Sequence, residues 1–200
     1  MQHAFRKDLS HLRWDEVYAR QQLRAPLVGA WMDALALQPG DRVLDVGAGP
    51  GFVSLLLGER VGPEGLVYAL DRSADALAYL ANLQKQRGIR QIEGVVVDAA
   101  LLKPEQLQTN KALISMVLHH ADDPAAVVRN VARRLPPGAP IVIAEFHPDG
   151  PCSGGPPREH RVTPEQVVRW CEEAGLTVLG IGRQTPEHYM LRAENRSGDL

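Results

Sequence analysis

Residues 43–52, Val43-Leu44-Asp45-Val46-Gly47-Ala48-Gly49-Pro50-Gly51-Phe52, constrain this chain more than any other stretch. The first four read as a short buried strand that runs straight into glycines at every second position, and apolar residues of helical character follow. Glycine takes positive φ at little cost and lets a backbone come within contact distance of another molecule. Three of them between a strand and a helix N-terminus therefore mark a loop that approaches a small ligand closely. The dinucleotide fingerprint is G-x-G-x-x-G. Here Phe52 stands where its third glycine belongs and Gly51 comes one place early, which disfavours a nicotinamide cofactor. A tight strand-to-helix turn holding nothing is the plain alternative.

The rest of the chain supplies the context such a turn needs. Two helices, over residues 12–24 and 27–37, are expected before the first strand at 42–46. Further apolar runs follow at 66–70, 92–97, 112–118 and 141–146, with helices between them. Ser73, Asp123-Pro124 and the capping-box spacing Thr163-Pro164-Glu165-Gln166 mark three helix starts, and Gly88 a stop. Two closing strands are expected at 177–183 and 188–193. Near-continuous apolar strands alternating with helices imply a parallel sheet covered on both faces. The last two are joined by a turn, so one must run antiparallel. The expected fold is a single α/β, Rossmann-like domain with a seven-stranded, mostly parallel sheet, the last strand reversed. Residues 1–38 would be a helical extension, 39–193 the core and 194–200 a tail. Residues 147–157 carry too much Pro and Gly for either ladder and are expected to be a mobile loop, long enough to gate a site.

At 200 residues and 44% hydrophobic, the chain suffices for one well-buried domain. A net charge of −2 gives no general attraction to nucleic acid or anionic membrane, although a local basic patch stays open. The N-terminal residues are charged where a signal peptide needs an apolar core, and no run approaches a membrane span; a cytoplasmic location is expected. Cys152 and Cys171 are too few and too far apart for a zinc knuckle and read as free thiols. His119, His120, Asp122 and Asp123 offer metal-ligand chemistry, but helix capping explains the acids and adjacent histidines diverge, so no metal is expected.

With Asp45 two residues before Gly47, the pattern Asp45-x-Gly47-x-Gly49-x-Gly51 resembles motif I of the class I S-adenosylmethionine-dependent methyltransferases. Residues 115–124 resemble the segment of that family which passes beneath the cofactor, and the likeness covers about residues 27–193. It implies S-adenosylmethionine as donor and S-adenosylhomocysteine as product. The loop residues Gly47, Ala48, Gly49 and Gly51 would hold the methionine part. Asp71, with Arg72 beside it, would take the ribose hydroxyls, and Asp98 with Ala99 the adenine. Ser115 and Met116 would lie under the cofactor, while Asp45 would fix the loop through backbone donors. Open parallel sheets bind ligands beyond the carboxyl ends of their strands, where these residues fall. Asp71 and Asp98 also have plainer readings as a helix cap and a strand-end turn residue.

Where the family has an Asp at the start of its fourth strand, this chain has Lys111-Ala112, which puts local packing in question more than activity. The Asn/Asp-Pro-Pro-aromatic motif of DNA amine methylation is absent. The motifs look most like the small-molecule methyltransferases of ubiquinone and menaquinone biosynthesis, without identifying a quinone. Methyl transfer from a sulfonium needs chiefly near-attack geometry, and a base only if the acceptor loses a proton. Candidate bases are His120, His160, Glu145 and His147, with His120 and His160 expected to reach the substrate. Arg158 and Arg161 are either solvated or hold an anionic substrate. A non-catalytic sensor that binds the cofactor or its product is the main rival, and the oligomeric state is not set by sequence.

Overall fold

The computed structural model describes residues 9, 11–103, 107–151 and 155–196. Expectations for residues 1–8, residue 10, residues 104–106, the Cys152 thiol, the middle of the Pro/Gly-rich loop (152–154) and the tail beyond residue 196 lie outside the described residues. Helices α1 (Trp14–Gln22) and α2 (Ala25–Ala34) precede β1 (Arg42–Val46). There follow α3 (Phe52–Val61), β2 (Leu66–Asp71), α4 (Ala74–Arg87), β3 (Ile92–Val96), β4 (Lys111–Ser115), α5 (Pro124–Ala132), β5 (Pro140–Phe146), α6 (Pro164–Glu173), β6 (Leu176–Arg183) and β7 (His188–Asn195). The strand order is β3-β2-β1-β4-β5-β7-β6. Strands β1 to β5 pair in parallel and β7 runs antiparallel to both β5 and β6, as the sequence pattern requires.

The cause is visible in the side chains. Successive residues of a strand face opposite sides of the sheet, so an apolar strand with no polar alternation needs a layer on each side. Val43 packs with Trp31, Leu55 and Leu80 of α2, α3 and α4. Its neighbour Leu44 packs with Val128, Val131 and Val167 of α5 and α6. The helix starts are those the sequence marks: Ser73 Oγ accepts from Ala76 N at 3.2 Å and Asp123 Oδ1 from Ala126 N at 2.9 Å. Thr163 and Gln166 close a reciprocal capping box. The Lys111 departure is absorbed locally. Its ammonium donates to Leu35 O at 2.9 Å and sits 3.6 Å from Asp41, tying the end of α2 to the sheet.

Two expectations change. The strand expected to reach residue 118 ends at Ser115, because Met116 takes a left-handed φ of 55°. The chain then leaves the sheet and forms a 3₁₀ turn, Leu118–His120. The roles expected of Arg161 change as well. Arg161 has a fully buried side chain and donates to the carbonyls of Pro156 (3.0 Å), His147 (2.8 Å), Gly150 (3.3 Å) and Pro151 (3.1 Å), with Glu187 at 3.5 Å. Proline brings no N–H to such a segment, and beyond the Gly150 N to His147 O bond a buried guanidinium with five donors satisfies its carbonyls. Arg161 is thus neither solvated nor available to a substrate. Replacing it by Ala would strand several buried carbonyls and Glu187. The expected loss is about 3 kcal/mol or more of unfolding free energy by denaturant titration. A change under about 0.5 kcal/mol would contradict this role.

Candidate active site

The strand order reverses direction between β1 and β4, and a cavity of about 730 Å³ opens there beyond the carboxyl ends of the strands. That size suits a small ligand. Gly47, Gly49, Asp71, Arg72, Asp98, Ala99, Ser115 and Met116 line it, as do His119, His120, Phe146, Gly155 and Pro156. Its cover is α1 and the chain on either side, through Leu12, Trp14, Val17, Arg20, Gln21 and Arg24.

The turn after β1 is built from both sides. Gly47, Gly49 and Gly51 all have positive φ. A Cβ on Gly47 would come within 2.3 Å of Val117, and one on Gly51 within 2.3 Å of Leu80. Gly51 is therefore required by the packing of α4 and does not line the cavity. Helix α3 begins at Gly51 with no side-chain cap of its own. Gln21 supplies one, accepting from Phe52 N at 3.1 Å and donating to Ala48 O at 3.0 Å. Ala48 N in turn donates to Leu70 O, so Ala48 is also structural and outside the cavity lining. Tyr18 packs edge-on against Phe52, with ring centroids 5.8 Å apart, and holds α1 over the turn.

Asp71 joins the turn to β2. Its Oδ2 accepts from Gly49 N and its Oδ1 from Ser73 N, both at 2.8 Å. Burial raises its pKa against these hydrogen bonds. Each carboxylate oxygen can accept a further donor, which suits a diol in the cavity. Asp98 both lines the cavity and caps the 3₁₀ turn Ala99–Leu101 through Ala100 N at 2.9 Å, so its two readings hold together. Asp45 is different. It is buried outside the cavity lining, and its partner is the Ser54 hydroxyl at 2.5 Å rather than the expected backbone donors.

Of the four proposed bases, only His120 lines the cavity. His147 lies between Arg183 and the backbone of Asp149, and His160 is exposed in the 3₁₀ turn Arg158–His160. Neither lines the cavity. Glu145 is fully buried behind it. Its Oε1 accepts from Leu118 N at 2.7 Å, and its Oε2 lies 2.7 Å from His119 Nδ1. Burial pushes the Glu145 pKa up, but His119 and the backbone donors outweigh this and hold it below the usual range. An ionised carboxylate only accepts, so His119 Nδ1 donates to it and the ring is oriented by that bond. His119, which sequence reasoning had considered only as a metal ligand, is a carboxylate-oriented imidazole at the cavity wall. Among the described residues no cluster of three or more His, Cys, Asp or Glu is arranged to hold a metal ion.

The seven-stranded sheet with its last strand antiparallel is the one that the motif resemblance implied, and the glycine turn and Asp71, joined by a hydrogen bond, both border the cavity at its switch point. A family model described as a methyltransferase domain matches residues 37–195. The chain belongs to this methyltransferase family. It is 34% identical over 131 residues to a protein-L-isoaspartate O-methyltransferase of Aeropyrum pernix, covering 64% of this chain and 48% of that protein. It is 33% identical over 111 residues to a ubiquinone/menaquinone biosynthesis C-methyltransferase of Xanthomonas oryzae, covering 55% and 44%. The chain thus spans about half the length of these curated relatives. A solved SAM-dependent methyltransferase of Aquifex aeolicus shares the fold, with a TM-score of 0.76 and 22% identity over 83% of this chain and 88% of that one. No helix among the described residues of this family member is long and apolar enough to cross a membrane.

The Asp45 site carries a pH signature. Burial, outweighing the Ser54 hydrogen bond, pushes its pKa from 3.8 up to about 7. The folded state therefore holds the proton more tightly than the unfolded state. Its contribution to stability is full below about pH 4 and is lost as pH rises through about 7. Asp45→Asn should flatten that part of the stability–pH profile measured by urea titration. An unchanged profile in the variant would show that Asp45 does not titrate in this way.

Proposed function

We propose that this protein transfers a methyl group from S-adenosylmethionine to a small-molecule acceptor. The observation that carries the proposal is the joined unit of turn and acid: Gly49 N on Asp71, in a covered cavity at the sheet's switch point. Gly47 and Gly49 would hold the methionine part, Asp71 with Arg72 the ribose, Asp98 with Ala99 the adenine, and Ser115 with Met116 the underside. The donor supplies an electrophilic methyl group next to a sulfonium. The chain's residues orient the acceptor and exclude water under α1, which suits an in-line displacement governed by positioning. At the acceptor end His119 Nε2 takes or holds a proton, Glu145 orients the ring, and His120 borders the same space. The cover over the cavity favours a small acceptor over a protein segment, and the net charge of −2 gives no general pull on nucleic acid. We place the activity in the cytoplasm. A pure sensor would have no use for an oriented imidazole beside the cofactor space, which favours catalysis over that rival.

Calorimetry with S-adenosylhomocysteine is the direct test. Wild type should bind one equivalent, and Asp71→Ala should weaken binding by about 1.5–3 kcal/mol. Unchanged affinity would remove Asp71 from the site. If the acceptor must lose a proton, His119→Ala should cut turnover about a hundredfold while S-adenosylhomocysteine affinity stays within about twofold. Near-normal turnover in that variant would leave the imidazole with a packing role only.

A further inference from the structure

Two guanidiniums lie over the ring of Phe146, Arg24 at 5.5 Å and Arg161 at 5.4 Å from its centroid, and they differ in one respect. Arg161 spends its donors on four carbonyls, with Glu187 beside it. The Arg24 guanidinium donates no hydrogen bond to any described residue, yet the residue is half-buried and lines the cavity. Its charge is felt by Glu145 and Glu187, but Glu145 is already engaged by His119 and backbone N–H groups and Glu187 by Arg161. A partly desolvated guanidinium without an acceptor is costly, and its planar fork matches an oxyanion. Unlike the exposed Arg20, which also lines the cavity, it is withdrawn from solvent there.

Its place says which ligand it serves. Gln21, three residues earlier, reaches the glycine turn after β1, whereas Arg24 reaches Phe146 at the end of β5. Strand β4 lies between those two strands, so the sites are two strand spacings, roughly 10 Å, apart. Phe146 also packs edge-on against His119, with centroids 5.5 Å apart. Arg24 and His119 therefore flank one aromatic ring at the acceptor end, while the carboxylates that line the cavity, Asp71 and Asp98, lie at the ends of β2 and β3.

We infer that the acceptor is a small molecule bearing a carboxylate, held by Arg24 with its reacting group toward His119. This rests on the proposed methyl transfer and names the substrate class for it. The chemistry is recognition only, with no covalent step beyond the methyl transfer itself.

The test uses the full chain loaded with S-adenosylhomocysteine and two matched probes, benzoate and benzamide, followed by calorimetry. Benzoate should bind wild type at least tenfold more tightly than benzamide. In Arg24→Gln that preference should vanish while S-adenosylhomocysteine affinity stays within about twofold, and Arg24→Lys should restore part of it. Equal binding of the two probes, binding of neither, or a preference that survives in Arg24→Gln overturns the inference. Loss of S-adenosylhomocysteine binding in both Arg24 variants, with unchanged thermal midpoints, also overturns it, because Arg24 would then hold the cofactor's own carboxylate. Failure of wild type to bind S-adenosylhomocysteine would instead sink the proposed methyl transfer.

Discussion

Side chains from outside the glycine turn hold its backbone, and the rest of the site depends on that. Asp71 accepts from Gly49 N, and Gln21 bridges Ala48 O and Phe52 N. Through these bonds the first helix, the first turn and the second strand become one unit. The turn's own residues cannot do this, since glycines bring no side chains and α3 starts without a cap. Gln21 therefore both caps α3 and fixes α1 as the cover of the cavity. A change in the packing of α1, for instance at Tyr18 against Phe52, would be felt at the turn.

The cavity is polarised along the strand order. Asp71 and Asp98 stand at the ends of β2 and β3, under which a nucleoside would lie. Arg24, His119 and His120 stand at the other end, over β4 and β5. Buried Glu145 lies behind that second end and sets its chemistry by keeping His119 Nδ1 protonated. Gly155 and Pro156, the latter held by Arg161, border the same end, where a Cβ on Gly155 would come within 2.3 Å of the Phe146 ring. Two arginines over one aromatic ring thus divide the work: one builds the wall and the other faces the ligand space.

What the sequence revealed, and what it hid, follows from how local the physics is. Strand ends, Ser73, the Thr163 capping box and the acids Asp71 and Asp98 are legible because turn and cap chemistry acts over three or four residues. Seven strands with a reversed partner follow from apolar runs and one tight turn. The His119–Glu145 pair was hidden because it needs the chain to leave the sheet at Met116, whose positive φ no periodicity announces. Glu145 itself read as a base facing the substrate; only the register of β4 on β5 and the 3₁₀ turn put it behind the histidine. Arg161 looked like a surface neighbour of Arg158, since its burial depends on carbonyls gathered from a ten-residue loop. Gln21 and Arg24 escaped notice for a similar reason: the docking of α1 is set by tertiary packing of Tyr18, not by local pattern. The family's missing fourth-strand Asp is the one departure whose consequence could be read in advance, as a packing matter, and Lys111 meets it through Leu35 and Asp41.

The central claim is that the covered cavity carries methyl transfer to a small molecule, and partition of label tests it most directly. Purified protein would be incubated with methyl-labelled S-adenosylmethionine and cell extract separated by size into small-molecule and macromolecular fractions. The account predicts new label in the small-molecule fraction, dependent on the protein. Label transferred only to macromolecules, or to neither fraction, would contradict it.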